Sequence, residues 1–299
     1  MYKTNDELQA SSRNLNCPIC ASERKCSIRF HKKKFFIYSC SCCDTLFVHP
    51  QPSLSEVLSI YDASYFMRGK KYSSSNADNQ IEPNKDNDQQ KLAVIKRHQQ
   101  RGHLLDIGCA LGGFLVVAKE EGYDISGLEV SSYAADCARK STCVDIKNCS
   151  LAEAKFPSEF FDVITMWDVL EHLDSPAQAF QEVHRLLKQH GVFSFSTGDT
   201  GSFWARLTGR YWQLLTPPQH LFYFNKKSLE KFLTKYDFSV EKVTYLGKKI
   251  TVNFLLFKAR ETFGSIVAPL QFISRVLGLN NVKIYINLHD IVTIIARKN

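Results

Sequence analysis

Four groups of residues in this chain have types and spacing that suit chemistry. The first is a turn. Asp106 closes the apolar run Leu104-Leu-Asp-Ile, and Gly108, Ala110, Gly112 and Gly113 follow before helical spacing begins at Phe114. A strand that ends in small residues and opens into a helix offers backbone N–H groups to a ligand and lets it approach closely. A carboxylate two residues ahead of the first glycine repels a pyrophosphate and suits a cation. The second is Glu129, 23 residues beyond Asp106 at the tip of a strand, where a carboxylate can accept both hydroxyls of a ribose. The third is Trp167-Asp168 with Glu171 and His172 a turn later and His220 further on; an imidazole can take a proton from an acceptor. The fourth is a pair of knuckles, Cys17-Pro-Ile-Cys20 and Cys40-Ser-Cys-Cys43, whose four thiolates can close a tetrahedral zinc site. Spacing favours Cys43 over the neighbouring Cys42, and Cys26 fits neither knuckle.

These groups need a scaffold, and the hydrophobic pattern supplies one. Buried strands are expected at Leu104–Ile107, Ile125–Glu129, Val144–Ile146, Val163–Met166, Val192–Ser196, Phe238–Tyr245 and Ile291–Ala296. Helical spacing fills the gaps: Gln89–Gln100, Phe114–Glu121, Tyr133–Arg139 behind a Ser131 cap, Pro176–Lys188 ended by Gly191, and Lys227–Lys235. Alternating strands and helices predict an α/β fold. Between the knuckles, Arg29 to Ser39 reads as strand, as in a zinc ribbon.

The stretch Leu104 to Phe114 resembles the first motif of class I S-adenosylmethionine (SAM) methyltransferases, Asp-x-Gly-x-Gly-x-Gly, with Ala110 at the middle glycine. Gly108-x-Ala110-x-x-Gly113 also fits a loosened dinucleotide fingerprint, and Glu129 serves either ligand. Asp106 and the segment Phe161 to Leu173 separate the two, because that segment is similar to the fourth motif of small-molecule SAM methyltransferases acting on quinones, lipids and sugars. Pro217-Pro-Gln-His220-Leu-Phe-Tyr-Phe resembles a stretch recurring in one branch with an N-terminal zinc module. The resemblance implies a Rossmann-like seven-stranded sheet with an antiparallel last strand, preceded by a small zinc ribbon. It implies SAM held by Asp106, Gly108, Ala110, Gly112, Glu129 and Val130, with Ser150 and Leu151 beside the adenine and Trp167 and Asp168 flooring the pocket. The implied reaction is in-line methyl transfer to oxygen or carbon, with His220 as the preferred base and His172 as either a base or a packing residue. Asp168, Glu171 and His172 echo the Glu-x-x-Glu-His metal site of quinone O-methyltransferases, but the shorter Asp168 leaves no second metal expected.

Composition bounds the partners. Ten cysteines in a chain of 299 residues, with a polar Met1–Asn14 and no long apolar run, suggest a cytoplasmic protein that uses thiols for Zn2+ rather than disulfides. The net charge is +8, and residues 200–299 hold fifteen Lys and Arg against five Asp and Glu. That excess suits an anionic acceptor, an acidic membrane surface or nucleic acid, or is simply a solvated face. The expected organisation is a zinc ribbon over 1–50, a connecting helix, a linker or lid and a leading helix over 51–100, and a methyltransferase domain over 101–299. Within it the acceptor side spans 197–224. An insert at 251–285 sets apolar residues at helical spacing beside Lys258, Arg260 and Arg275. It can lie on an anionic bilayer, cover the domain's own flank or meet a second copy. Tyr61 and Tyr65 can face a sulfonium by cation–π attraction or pack the ribbon. The expected acceptor is a sugar, lipid or quinone-like small molecule. Two other functions fit the motifs: rRNA or tRNA methylation, with Lys32, Lys33 and Lys34 on the ribbon, and a non-enzymatic SAM or nucleotide sensor.

Overall fold

The apolar runs form one twisted sheet because each strand sends consecutive side chains to opposite faces. Leu104, Val163, Val192 and Ile295 enter a core on one side, and Leu105, Ile164, Phe193 and Ile294 enter a core on the other. The computed structural model describes residues 15–21, 26–32, 34–53, 56–57, 60, 66 and 85–299. It opens with three antiparallel strands, β1 (Cys26–Lys32), β2 (Phe35–Cys40) and β3 (Leu46–His49). The α/β unit follows as α1 (Lys85–Lys96), β4 (His103–Ile107), α2 (Gly113–Glu120), β5 (Asp124–Leu128), α3 (Ser132–Thr142), β6 (Ile146–Lys147), β7 (Phe161–Trp167), α4 (Pro176–Leu186) and β8 (Leu187–Gly198). The segment 199–225 carries α5 (Phe203–Thr208) and β9 (Phe222–Tyr223). Then come α6 (Lys226–Lys235), β10 (Phe238–Thr244), β11 (Lys248–Thr251), α7 (Val252–Phe263), α8 (Ala268–Val276), β12 (Lys283–Ile286) and β13 (Ile291–Lys298).

Seven strands pair in the order β10-β13-β8-β7-β4-β5-β6. The five from β8 to β6 run parallel, and β13 runs antiparallel between β8 and β10. This is the expected sheet with its reversed last strand. Phe180 of α4 anchors one face, with its ring 5.2–6.5 Å from those of Phe193, Phe195, Phe232 and Phe238. Edge-on aromatic contacts add to the burial of such large side chains.

Several boundaries differ from the pattern. α1 starts four residues early, because Asp86 and Asp88 occupy its first turn and suit the positive end of the helix. Gly191 does not end α4; the helix stops at Leu186 and Gly191 lies within β8. Ser131 stands at the N-cap of α3 without a side-chain cap bond. The insert is not purely helical, since β11 and β12 pair as a hairpin that closes its base.

The glycine turn is tight where the sheet needs it. Gly108 and Gly112 have φ of +71° and +84°. A Cβ at Gly112 would stand 2.9 Å from Ser141 Oγ and 3.1 Å from the Ala138 Cα on α3. Gly112→Ala is therefore expected to destabilise the fold by about 1–3 kcal/mol. Urea unfolding reads this directly, and an unchanged midpoint would show that α3 yields.

Candidate functional site

At the tips of β4 and β5 two carboxylates bracket the turn. Asp106 is buried, and its Oδ1 accepts from Thr165 Oγ1 at 2.7 Å. Burial pushes it up to about 7, against the Thr165 bond and the Lys91 cation, which pull it down. Glu129 is also buried and accepts two backbone bonds, from Ala110 N to Oε2 and from Ser131 N to Oε1, both at 2.9 Å. Burial raises this carboxyl while those amides lower it. Each oxygen keeps a second lone pair for a hydroxyl. Ala110 donates from the left-handed region at φ +48°, so the residue that departs from glycine is also the one that aims the carboxylate. Val130 beside it is exposed. Asn148 Nδ2 donates to the carbonyls of Glu129 and Val130 at 2.8 and 3.0 Å and so fixes that corner. Ser150 turns its hydroxyl to Glu153 Oε2 at 2.6 Å, and Leu151 is half-buried next to it.

The floor comes from β7 and its exit. Trp167 is buried, meets Phe114 edge-on at 5.3 Å, and carries Lys91 Nζ 5.1 Å from its ring. Its Nε1 has no hydrogen-bond partner among the described residues. Asp168 accepts from Ser196 Oγ at 2.7 Å and from Lys248 Nζ at 2.9 Å. Burial alone would raise Asp168, but Lys248 and Lys91 hold it below the usual carboxylate range. A cavity of about 170 Å³ lies here, with Asp88, Lys91, Trp167, Asp168, Ser196 and Lys248 in its wall. It sits beyond the C-terminal ends of the parallel strands, where open α/β sheets bind ligands.

Glu171, His172 and His220 form a third cluster, with one donor atom of each within 4.8 Å of the others. Glu171 is buried and accepts from Thr197 Oγ1 at 2.8 Å. Burial first, then the charge of Asp168, pushes it up to about 8. His172 Nδ1 lies 2.7 Å from the Gln219 carbonyl. A carbonyl only accepts, so Nδ1 holds the proton and the basic lone pair is on Nε2. His220 is buried, its ring edge-on to His172 at 4.6 Å between centroids. Burial and His172 push it down to about 3. Asp168 turns toward Lys248, so Glu171 and His172 gather with His220 instead. Lys91, Lys248, Asn148 and Thr197 were not expected from sequence.

Four cysteines complete the set. The Sγ atoms of Cys17, Cys20, Cys40 and Cys43 lie within 4.8 Å of one another, with Cys17–Cys43 and Cys20–Cys40 both at 3.7 Å. A tetrahedral Zn2+ with Zn–S bonds of about 2.3 Å calls for S–S distances of about 3.8 Å, so the donor set fits that ion. Cys42 is exposed and lies outside the cluster. Cys26 is buried beside it, its thiol pushed up to about 11 by burial and then by Cys40. The ribbon sheet does not stop at β3. β3 pairs with β9, and Val48 N donates to Leu221 O at 2.9 Å, so the strand after His220 belongs to the ribbon's own sheet. Tyr61 and Tyr65 lie outside the described residues.

Glu171 gives a pH test. Its carboxyl holds a proton in the folded chain up to about 8, whereas its ordinary value is 4.5. The folded state therefore binds more protons in that window, and its stability falls as pH rises through it. Glu171→Gln cannot ionise, so thermal midpoints of this variant should gain on the parent from pH 5 to 8. Parallel profiles would mean that Glu171 is already charged when folded.

Comparison with known proteins places this geometry. A family described as a methyltransferase domain matches residues 81–243, more than half of the chain. The ubiquinone biosynthesis O-methyltransferase of Actinobacillus pleuropneumoniae serotype 7 is 30% identical over 104 residues, covering 31% of this chain and 44% of that protein. The protein of the same name from Thiobacillus denitrificans is 35% identical over 102 residues, covering 31% and 43%. The chain thus spans less than half the length of these relatives. A SAM-dependent methyltransferase from Archaeoglobus fulgidus superposes with a TM-score of 0.53 at 17% identity, covering 78% of this chain and 99% of that one. Magnesium protoporphyrin IX methyltransferase from Synechocystis PCC 6803, solved with S-adenosylhomocysteine (SAH), superposes at 0.53 with 12% identity, covering 83% and 100%. The two likenesses show a shared fold, and with the match over residues 81–243 they make this chain a member of the methyltransferase-domain family.

Proposed function

We propose that the chain is a SAM-dependent methyltransferase that methylates a hydroxyl of a small, quinone-like or lipid- or sugar-linked acceptor. The observation that carries this reading is the Glu129 carboxylate, aimed by Ala110 N and Ser131 N across the turn that begins at Asp106. The fold family and the O-methyltransferase relatives supply its context. SAM brings an intrinsically electrophilic sulfonium methyl, so the protein's part is to align and to move a proton. Glu129 receives the ribose hydroxyls, Asp106 faces the cationic end, the Gly108–Gly112 turn admits the backbone closely, and Val130, Ser150 and Leu151 border the base. Trp167 and Asp168 floor the site, with Asp168 held charged by Lys248. Burial lowers both imidazoles, but His172 suits the base better than His220: the Gln219 carbonyl anchors its Nδ1 and partly offsets the burial, whereas His220, pushed down to about 3, takes protons poorly at neutral pH. His220 then packs against His172 and keeps its ring in place.

Zn2+ at Cys17, Cys20, Cys40 and Cys43 is proposed as structural, in a ribbon (1–50) that leads through 51–100 into the methyltransferase domain (101–299). A small acceptor is favoured over RNA because two ribbon lysines are engaged within the protein: Lys32 Nζ donates to Leu215 O at 2.5 Å, and Lys34 pairs with Glu56 at 3.0 Å.

Two experiments test this. Calorimetry with SAM and SAH should give binding that Glu129→Ala weakens about 10- to 100-fold, the worth of hydrogen bonds to a charged group. Labelled SAM offered with phenols, lipids, sugars and RNA should pass its label to a small-molecule fraction. Absence of SAM binding, or label only in RNA, would sink the proposal. Metal analysis should find about one zinc per chain. Chelation should lower the thermal midpoint and slow methyl transfer together, because β3 and β9 share a sheet. Full activity after complete zinc removal would refute the structural role.

A further inference from the structure

The insert between β10 and β13 is built inside out. In a water-soluble helix the apolar stripe faces the core. In α8 the outward residues are Leu270, Phe272, Ile273 and Val276, at 55%, 68%, 49% and 67% exposure, with Ile266 before and Leu277 after at 80% and 62%. The inward positions are Val267 and Ser274, and the Ser274 hydroxyl is occupied with Asn280 Oδ1 at 2.8 Å. The insert therefore does not cover the domain's own flank with this face. Its orientation is fixed from below. β11 and β12 pair over four positions, Lys248↔Ile286 to Thr251↔Lys283. Asn87 of α1 bonds both the N–H and the carbonyl of Lys249, and Asp86 pairs with Lys249 and Lys283. An apolar patch on a braced stem is a contact surface rather than a loosely packed end.

Charge says what it contacts. Lys258, Arg260 and Arg275 are exposed around the patch, and Glu261 is the single acid in the sequence from 251 to 285. A second copy docked about a two-fold axis would set the patch against itself, cation facing cation. Anionic headgroups instead meet these side chains with opposite charge, each contact worth about 1 kcal/mol near the surface. A nine-residue helix is about 13 Å long and cannot cross roughly 30 Å of hydrocarbon, so it lies in the headgroup layer. No helix among the described residues is long and apolar enough to cross a membrane. We infer that the Val252–Leu277 insert docks the protein on an anionic lipid bilayer, with the outward face of α8 in the interface and Lys258, Arg260 and Arg275 against lipid phosphates. This inference is independent of the methyl acceptor. The same hairpin that carries the insert supplies Lys248 to the cavity wall.

The test uses the full, zinc-loaded chain and two vesicle compositions, phosphatidylcholine alone and phosphatidylcholine with about one third phosphatidylglycerol. Co-sedimentation should be strong with the anionic vesicles and weaker with neutral ones, and salt at about 0.5 M should reduce it. Phe272→Asp with Ile273→Asp should weaken binding at least tenfold. Arg260→Glu with Arg275→Glu should abolish the preference for anionic lipid. The thermal midpoint of each variant checks folding. A gain-of-signal variant, Ile266→Trp, should add fluorescence that brominated lipids quench beyond the parent's own change. Binding to neither vesicle, unchanged binding by the Asp variant, or an unquenched Trp would overturn the inference. So would a stable dimer in light scattering that the Asp variant splits.

Discussion

Burying carboxylates beside one another is costly, and the site rests on how that cost is met. Asp106 and Glu129 are both buried at adjacent strand tips, and Asp106 is raised first by that burial and then by the charges of Asp88 from α1 and of Glu129. Water is replaced by a few fixed donors: Thr165 for Asp106, and Ala110 N and Ser131 N for Glu129. Each donor is held by an element that serves the fold anyway. Thr165 lies opposite Asp106 in the parallel ladder, and Ser131 opens α3. The turn must therefore be tight, since a wider one would carry Ala110 N away from the carboxylate. The positive φ of Gly108, Ala110 and Gly112 follows from that demand. Lys91, reaching over Trp167, supplies a cation that pulls Asp106 down. A ligand with its own positive charge would relieve the rest.

The ribbon answers a different constraint. Its own core is small, and the zinc proposed at its four cysteines would do the work that apolar area cannot. It also finds apolar area elsewhere. Phe35, Ile37 and Val48 of the ribbon share a core with Trp212, Leu215 and Tyr223 of the segment between β8 and α6, and β9 completes its sheet. The loop bearing His220 is thus held from both sides. Leu221 N donates to Glu171 O at its inner end, and Val48 N donates to Leu221 O at its outer end. A site that looks remote in sequence braces the imidazole cluster through one short strand.

The central sheet was legible because a buried strand followed by a glycine turn admits few other readings, and the Asp106 to Glu129 spacing carried the first crossover. The four cysteines were legible because knuckle spacing is itself geometry. What escaped was set by tertiary contact. Asn148 is one polar residue in a short loop until β5 brings the Glu129 and Val130 carbonyls to it. Lys91 and Lys248 sit more than 150 residues apart in sequence, and only the bracing of α1 on β11 puts both at one cavity. The insert shows the limit most plainly. Periodicity reveals that a helix has an apolar face but not which way that face looks, and α8 turns it outward.

The two lysines also divide the site into halves with different origins. The half proposed for SAM is made by the tips of β4, β5 and β7, strands locked in the middle of the sheet. The cavity beside it takes Asp88 and Lys91 from α1, Ser196 from β8 and Lys248 from the insert's hairpin. α1 and the hairpin are joined to each other through Asn87 and Asp86. Asp168 therefore draws both of the cations that keep it charged from these two elements. The charge of Asp168 thus rests on α1 and the insert's hairpin, while the Glu129 corner draws its donors from the glycine turn, the start of α3 and Asn148.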